Sequence, residues 1–114
     1  MSSESQSIPA EPIQLGGEDD FENAVSTYDV VLTDFYADWC GPCRMMEPTI
    51  EAVAAETDAA VLKIDVDRLQ GLASQYGIQG IPALLLFADG DLAERFVGVQ
   101  QQDDLEGAIA EYTG

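Results

Sequence analysis

The sequence predicts an α/β fold, a mixed five-stranded central sheet flanked by four helices, and three observations lead there. Val30-Val31-Leu32-Thr33-Asp34-Phe35-Tyr36 is a run of β-branched and aromatic residues without amphipathic alternation, which marks a strand buried on both faces. A helix start follows it closely: Pro42 suits a first helical turn, and Met45, Met46, Ile50 and Val53 continue at helical spacing. Near the other end, Asp89-Gly90 separates two strand-like runs and reads as a hairpin turn, so at least one strand pair is antiparallel. The element order is strand, helix, strand, helix, strand, helix, strand, strand, helix, which a sheet covered by helices on both faces satisfies.

Taken in order, residues 1 to 12 are rich in Ser, Glu and Pro with few apolar side chains and read as a flexible N-terminal extension; the domain is 13–114. Ile13-Gln14-Leu15 is a short strand. Glu18-Asp19-Asp20 put acids where a helix start wants them, ahead of Phe21, Ala24 and Val25. After the buried strand, the helix from Gly41 runs toward Thr57 and is kinked by Pro48, with Met45 and Met46 expected to pack inward. Ala60 to Val66 is a parallel strand with Leu62, Ile64 and Val66 on one face and Lys63 and Asp65 on the other. Arg68 to Tyr76 is a short helix with Leu69, Leu72 and Ala73 inward, closed by Gly77. Ala83 to Phe87 and Leu92 to Val97 form the hairpin. The last helix turns Leu105, Ala108, Ile109 and Tyr112 toward the sheet, slightly weakened by Gly107.

A chain of 114 residues is one domain with room for a real core. It carries 22 acidic and 4 basic side chains, a net charge of −18, and so has no basic face for nucleic acid or an anionic membrane. The acids spread from Glu4 to Glu111, and an apolar content of 46% argues for a folded domain over a disordered acidic segment. Self-repulsion on this scale is relieved by molar salt, which predicts a salt-rich cytoplasm of the haloarchaeal kind. No segment is long and apolar enough to span a membrane, and Met1-Ser2-Ser3-Glu4 has neither the basic start nor the apolar core of a signal peptide, so a cytoplasmic location is expected.

The chain has two cysteines and no histidine. Cys40 falls at the predicted helix N-terminus, where free N–H groups and the helix dipole favour a thiolate and so a nucleophile. Cys43, at i+3, lies within reach of a disulfide and can resolve a mixed disulfide formed by Cys40. Three other readings stand beside this one. A structural disulfide would close so short a loop that it contributes only roughly 2 kcal/mol. A zinc site needs four ligands that two Cys and no His do not supply within one chain. Two plain buried thiols are the third. CxxC at a strand-to-helix junction in a βαβ context favours redox chemistry. Asp34 is the anomaly of its strand: a carboxylate inside an apolar run is desolvated, its pKa rises, and without histidine it is the candidate general base for Cys43, against the plainer reading of a capped structural Asp.

Trp39-Cys40-Gly41-Pro42-Cys43, Asp34 in the preceding strand, Tyr76-Gly77-Ile78 followed by Gly80-Ile81-Pro82, and Asp89-Gly90 before a strand ending near Gly98 together resemble the thioredoxin family over residues 13 to 113. The resemblance implies the thioredoxin fold, a thiol-disulfide oxidoreductase acting as protein-disulfide reductase, and a proton-transfer role for Asp34. It also implies that Lys63, the single lysine, lies beside Asp34 and tunes it. Ile81-Pro82 would be a cis-proline loop facing the cysteines. Trp39, Gly41, Pro42, Gly80, Ile81, Pro82 and Gly98 would form the docking surface, where the backbone before the proline pairs with substrate main chain. Ala83 departs from the pattern, standing where many relatives carry Thr. The implied partners are a thioredoxin reductase and disulfide-containing target proteins, met by a monomer with no bound cofactor and no metal. A disulfide oxidant or isomerase, and a binding module of the same fold, are the rival functions; the absence of a His between the cysteines weighs against the oxidant.

Overall fold

Five strands form one sheet in the order β1-β3-β2-β4-β5. β1 (Ile13–Gln14), β3 (Ala60–Asp65) and β2 (Val30–Tyr36) run parallel, while β4 (Ala83–Ala88) is antiparallel to β2 and to β5 (Asp91–Val97). In the computed structural model, which describes residues 7–113, four helices cover this sheet when α2 (Gly41–Met45) and α3 (Glu47–Glu56) are counted as one kinked helix beside α1 (Asp19–Thr27), α4 (Gln70–Gln75) and α5 (Gln102–Thr113). Residues 1–6 of the expected extension lie outside the described residues, and residues 7–12 have no helix or strand.

Alternation along β2 separates two cores. Val31 and Phe35 face α1 and α4, joining Phe21, Val25, Leu72 and Ala73, where the rings of Phe21, Tyr76 and Phe87 meet with centroids 5.5 to 5.7 Å apart, Phe87 T-shaped to the other two and Phe21 tilted against Tyr76. Val30 and Leu32 face the other way, joining Ile50 and Val53 of α3 and Leu105 and Ile109 of α5. Thr33, a polar residue within the run, is satisfied because its hydroxyl donates to the Leu85 carbonyl at 3.0 Å. Every residue of β2 up to Phe35 is thus buried, including Thr33 and Asp34 within its otherwise apolar run.

The helix expected from Gly41 to Thr57 breaks at Met46. Pro48 has no N–H to give to the Arg44 carbonyl, so the ladder lapses there and resumes with Ile50 N–H on the Met46 carbonyl at 2.9 Å. Pro48 itself occupies the first turn of α3, where it fits. Met46 is 1% exposed and packs as expected, but the turn leaves Met45 pointing outward at 73%. The helix expected from Arg68 starts later, because the Asp65 carbonyl accepts from both Arg68 and Leu69 N–H in a turn, and Leu69 leaves the helical region. At its other end Gly77, with φ +65°, lets its own N–H reach the Ser74 carbonyl and that of Ile78 reach the Ala73 carbonyl. Tyr112, expected inward on α5, is 40% exposed and its hydroxyl meets Glu94 instead. Among the described residues no helix is long and apolar enough to cross a membrane.

Candidate active site

β2 ends at Tyr36 and the chain needs four residues to turn into α2. Cys40 is the N-cap of that helix, with φ −87° and ψ 108°, and its N–H donates back to the Ala37 carbonyl at 3.1 Å. A cap residue must offer an acceptor to the free N–H groups of the first turn. Here a sulfur does so: the Cys43 N–H donates to Cys40 Sγ at 3.1 Å. Cys43 lies one turn on with its Cα 5.3 Å from that of Cys40, and the two are joined as a disulfide. Both are 4% exposed and pack with Ala37 against Tyr36, Val66 and Ile81.

The loop that meets the disulfide comes from the other half of the chain. Ile81-Pro82 is a cis peptide, and the Ile81 carbonyl oxygen lies 3.9 Å from Cys40 Sγ. The Pro82 carbonyl accepts from the Gly98 N–H at 2.8 Å, which ties the end of β5 to the loop. Gly98 has φ +90°, a backbone state that favours glycine; a Cβ there would touch nothing within 4 Å, so the requirement is conformational. Gly41 and Pro42 are exposed at the start of α2, and Gly80 is exposed with the Val97 side chain 3.9 Å from where its Cβ would sit. Exposed Trp39 and Val97, at 69% and 63%, add apolar surface around this loop and disulfide.

Asp34, two residues before the end of β2, is 3% exposed. Its neighbours across the sheet are Lys63 on β3 and Leu84 on β4. Asp34 Oδ1 is buried without a hydrogen-bond partner. Burial pushes its pKa up to about 6, with the Lys63 ammonium pulling it down and the Glu47 carboxylate pushing it up. The Lys63 ammonium lies 4.5 Å from the centre of the Tyr36 ring and 3.8 Å from Glu47 Oε2. The structure therefore brings Cys40, Cys43, Ile81, Pro82 and Gly98 into one connected set, with Asp34 and Lys63 as a second set, paired across the adjacent strands β2 and β3. It gives Asp34 no hydrogen bond to either sulfur.

Two contributors were not legible in advance. The Trp39 indole N–H donates to Asp67 Oδ2 at 2.9 Å, tying the exposed ring of the β2–α2 loop to the turn after β3. Glu47 holds Lys63. Among 22 acids neither carried a mark, whereas the outward position of Val97 follows from alternation in β5. Among the described residues no group of three His, Cys, Asp or Glu side chains is placed to hold a metal ion.

Residues 13–111 match the family model described as Thioredoxin. A thioredoxin of Chlamydia muridarum is 41% identical over 101 residues, covering 88% of this chain and 98% of its own length. Among solved structures, a mutant thioredoxin from Halobacterium salinarum is 52% identical with a TM-score of 0.92, covering 96% of this chain and 97% of that one. A Schistosoma mansoni thioredoxin superposes with a TM-score of 0.84 at 28% identity, covering 93% of this chain and 99% of that one. A disulfide capping a helix beside a cis-proline loop, on a sheet matched across nearly its whole length, leaves one conclusion: the chain belongs to the thioredoxin family, and its Cys40–Cys43 pair is a redox centre for dithiol-disulfide exchange.

Proposed function

We propose that Cys40 is the attacking thiolate of this protein-disulfide reductase, Cys43 the resolving thiol, and Asp34 the group that moves the proton, with Lys63 tuning Asp34. The observation that carries the assignment is the Cys43 N–H aimed at Cys40 Sγ at the N-cap of α2. That donor, together with the positive end of the helix, stabilises negative charge on Cys40 and not on Cys43. In the reduced protein, Cys40 thiolate attacks one sulfur of a target disulfide, and the other leaves as a thiolate that takes up a proton. Asp34 carboxylate then accepts the Cys43 proton. Cys43 attacks Cys40 Sγ, the mixed disulfide breaks, and the target leaves with both electrons while Cys40–Cys43 closes.

Trp39, Gly41, Pro42, Gly80, Ile81, Pro82 and Gly98 form the docking surface in this reading, supported by their exposure or their links to the loop beside the disulfide. The protein acts as a monomer, is recycled by a thioredoxin reductase, and serves disulfide-containing target proteins. A salt-rich cytoplasm is its setting, supported by the net charge of −18 and by the likeness to the Halobacterium protein. Residues 13–114 make up the working domain.

Trapping tests the roles. Cys43→Ser should accumulate a mixed disulfide with reducible insulin, and Cys40→Ser should lose exchange altogether; capture through Cys43 instead would reverse the two roles. The equilibrium potential of the pair in molar potassium chloride should lie below the cytosolic glutathione poise of roughly −220 to −260 mV. A value well above that would make the pair an oxidant.

A further inference from the structure

Lys63 and Asp34 are opposite neighbours on adjacent strands roughly 4.8 Å apart, close enough for the lysine to lay its ammonium on the carboxylate. It does not. Among the described residues its one ion pair is with Glu47, at 3.8 Å, and it lies over the Tyr36 ring, leaving Asp34 Oδ1 buried and without a partner. Glu47 is in the first turn of α3, on the side of the sheet that Asp34 faces, and its side chain is about half exposed, so it draws the ammonium outward. Had the lysine turned inward, the buried pair would have fixed Asp34 as a carboxylate, unable to hold a proton near neutral pH.

We propose that Glu47 is a positioning residue for proton transfer at Asp34: by holding the Lys63 ammonium over Tyr36 and toward solvent, it leaves the buried carboxyl without an ion pair and free to take up and release a proton. This rests on the proton-transfer role given to Asp34 above. The groups that bear on Asp34 are few. β3 presents Lys63, α3 presents Glu47, β4 presents only Leu84, and on β2 itself Tyr36 is the nearest titratable side chain, with Asp38 and Asp65 gathered around Tyr36. The joined cysteines, Cys40 at the cap of α2 and Cys43 within it, do not titrate.

The test is the titration of the Asp34 carboxyl carbon by NMR in the oxidised protein, in molar potassium chloride. Glu47→Gln should lower the midpoint by roughly half a pH unit or more, as Lys63 swings inward. In a Lys63→Met background the same substitution should move it by less than half as much, because the group being positioned is gone. An unmoved midpoint, or an equal shift in both backgrounds, overturns the proposal, since the first makes Glu47 a helix-end acid only and the second a remote charge only. The pH profile of the resolving step, followed by release of an insulin mixed disulfide, separates this inference from the reading it rests on. If the carboxyl titration moves and the profile does not, the role of Glu47 stands and that of Asp34 in proton transfer falls. If neither moves, it is the role of Glu47 that falls.

Discussion

Asp34 is protonated in the folded chain at a pH where an exposed carboxyl is already charged, and the sign of the consequence follows from linkage. Its folded pKa, about 6, lies above the unfolded value of roughly 3.9. Between the two the native state holds a proton that the unfolded state has lost, so stability falls as pH rises through this window and stays lowered above it. At pH 7 the charged, buried carboxylate therefore costs roughly 2–3 kcal/mol. Asp34→Asn should raise stability by about that amount at pH 7 and by little below pH 4, read as the difference between variant and parent in urea unfolding at each pH. Equal stability of the two at pH 7 would mean that Asp34 is ionised with no penalty and cannot serve as a proton carrier. This residue could be read in the sequence because a lone acid within Val30 to Tyr36 breaks the pattern around it. Glu47 and Asp67 break no pattern. Their roles come from meeting Lys63 and Trp39, which lie 16 and 28 residues away, and distance along the chain hides such meetings.

At the scale of elements, β2 and β4 were legible because burial on both faces leaves a nearly continuous apolar run, and β2 begins and ends where that run does; the exposed β5 was legible only through the Asp89-Gly90 turn before it. Helix ends were less so. Pro48 itself announces a kink, but the spacing of Met45, Met46, Ile50 and Val53 continues straight through Met46, so periodicity does not show that the lost Pro48 donor divides the helix there and turns Met45 outward. The join between β5 and the cis-proline loop is where an element boundary bears directly on the site. Gly98 carries φ +90° and its N–H holds the Pro82 carbonyl, so the turn and the loop are set by one bond. Gly98→Ala should cost roughly 1–2 kcal/mol from backbone strain alone, since no atom crowds the new methyl group. If that strain is relieved by losing the Gly98 to Pro82 bond, the apparent KM for insulin should rise in parallel with the fall in urea midpoint. A lower midpoint with unchanged KM would mean that the loop keeps its shape without Gly98, and that its docking role does not depend on β5.

Charge belongs to the whole molecule, because repulsion is summed over every acid and no single pair decides it. Of the 22 acids, 21 lie with all four bases among the described residues, in a fold with a Cα radius of gyration of 13.1 Å. At 0.01 M salt the Debye length is about 30 Å, so each charge feels all the others; at 1 M it is about 3 Å, and only contacts survive. Unfolding lets the charges move apart, so repulsion favours the unfolded chain and salt removes the advantage. Ion pairs offer little compensation: among the described residues they are Lys63 with Glu47 and Arg68 with Asp65, the second at 4.0 Å with an exposed arginine. The melting temperature should therefore rise by at least about 10 °C between 0.01 M and 1 M potassium chloride, the size expected when a few kcal/mol of repulsion are screened in a domain of this length. The shape of the curve identifies the cause. Screening is nearly complete by 1 M and must level off there, whereas strengthened burial by an excluded salt continues to rise with concentration and is larger for sulfate than for chloride. A plateau reached equally in both salts at matched ionic strength supports repulsion as the force being relieved. A flat melting temperature from 0.01 M upward would show that the fold carries its charge without help, and the inference of a salt-rich cytoplasm would fail with it.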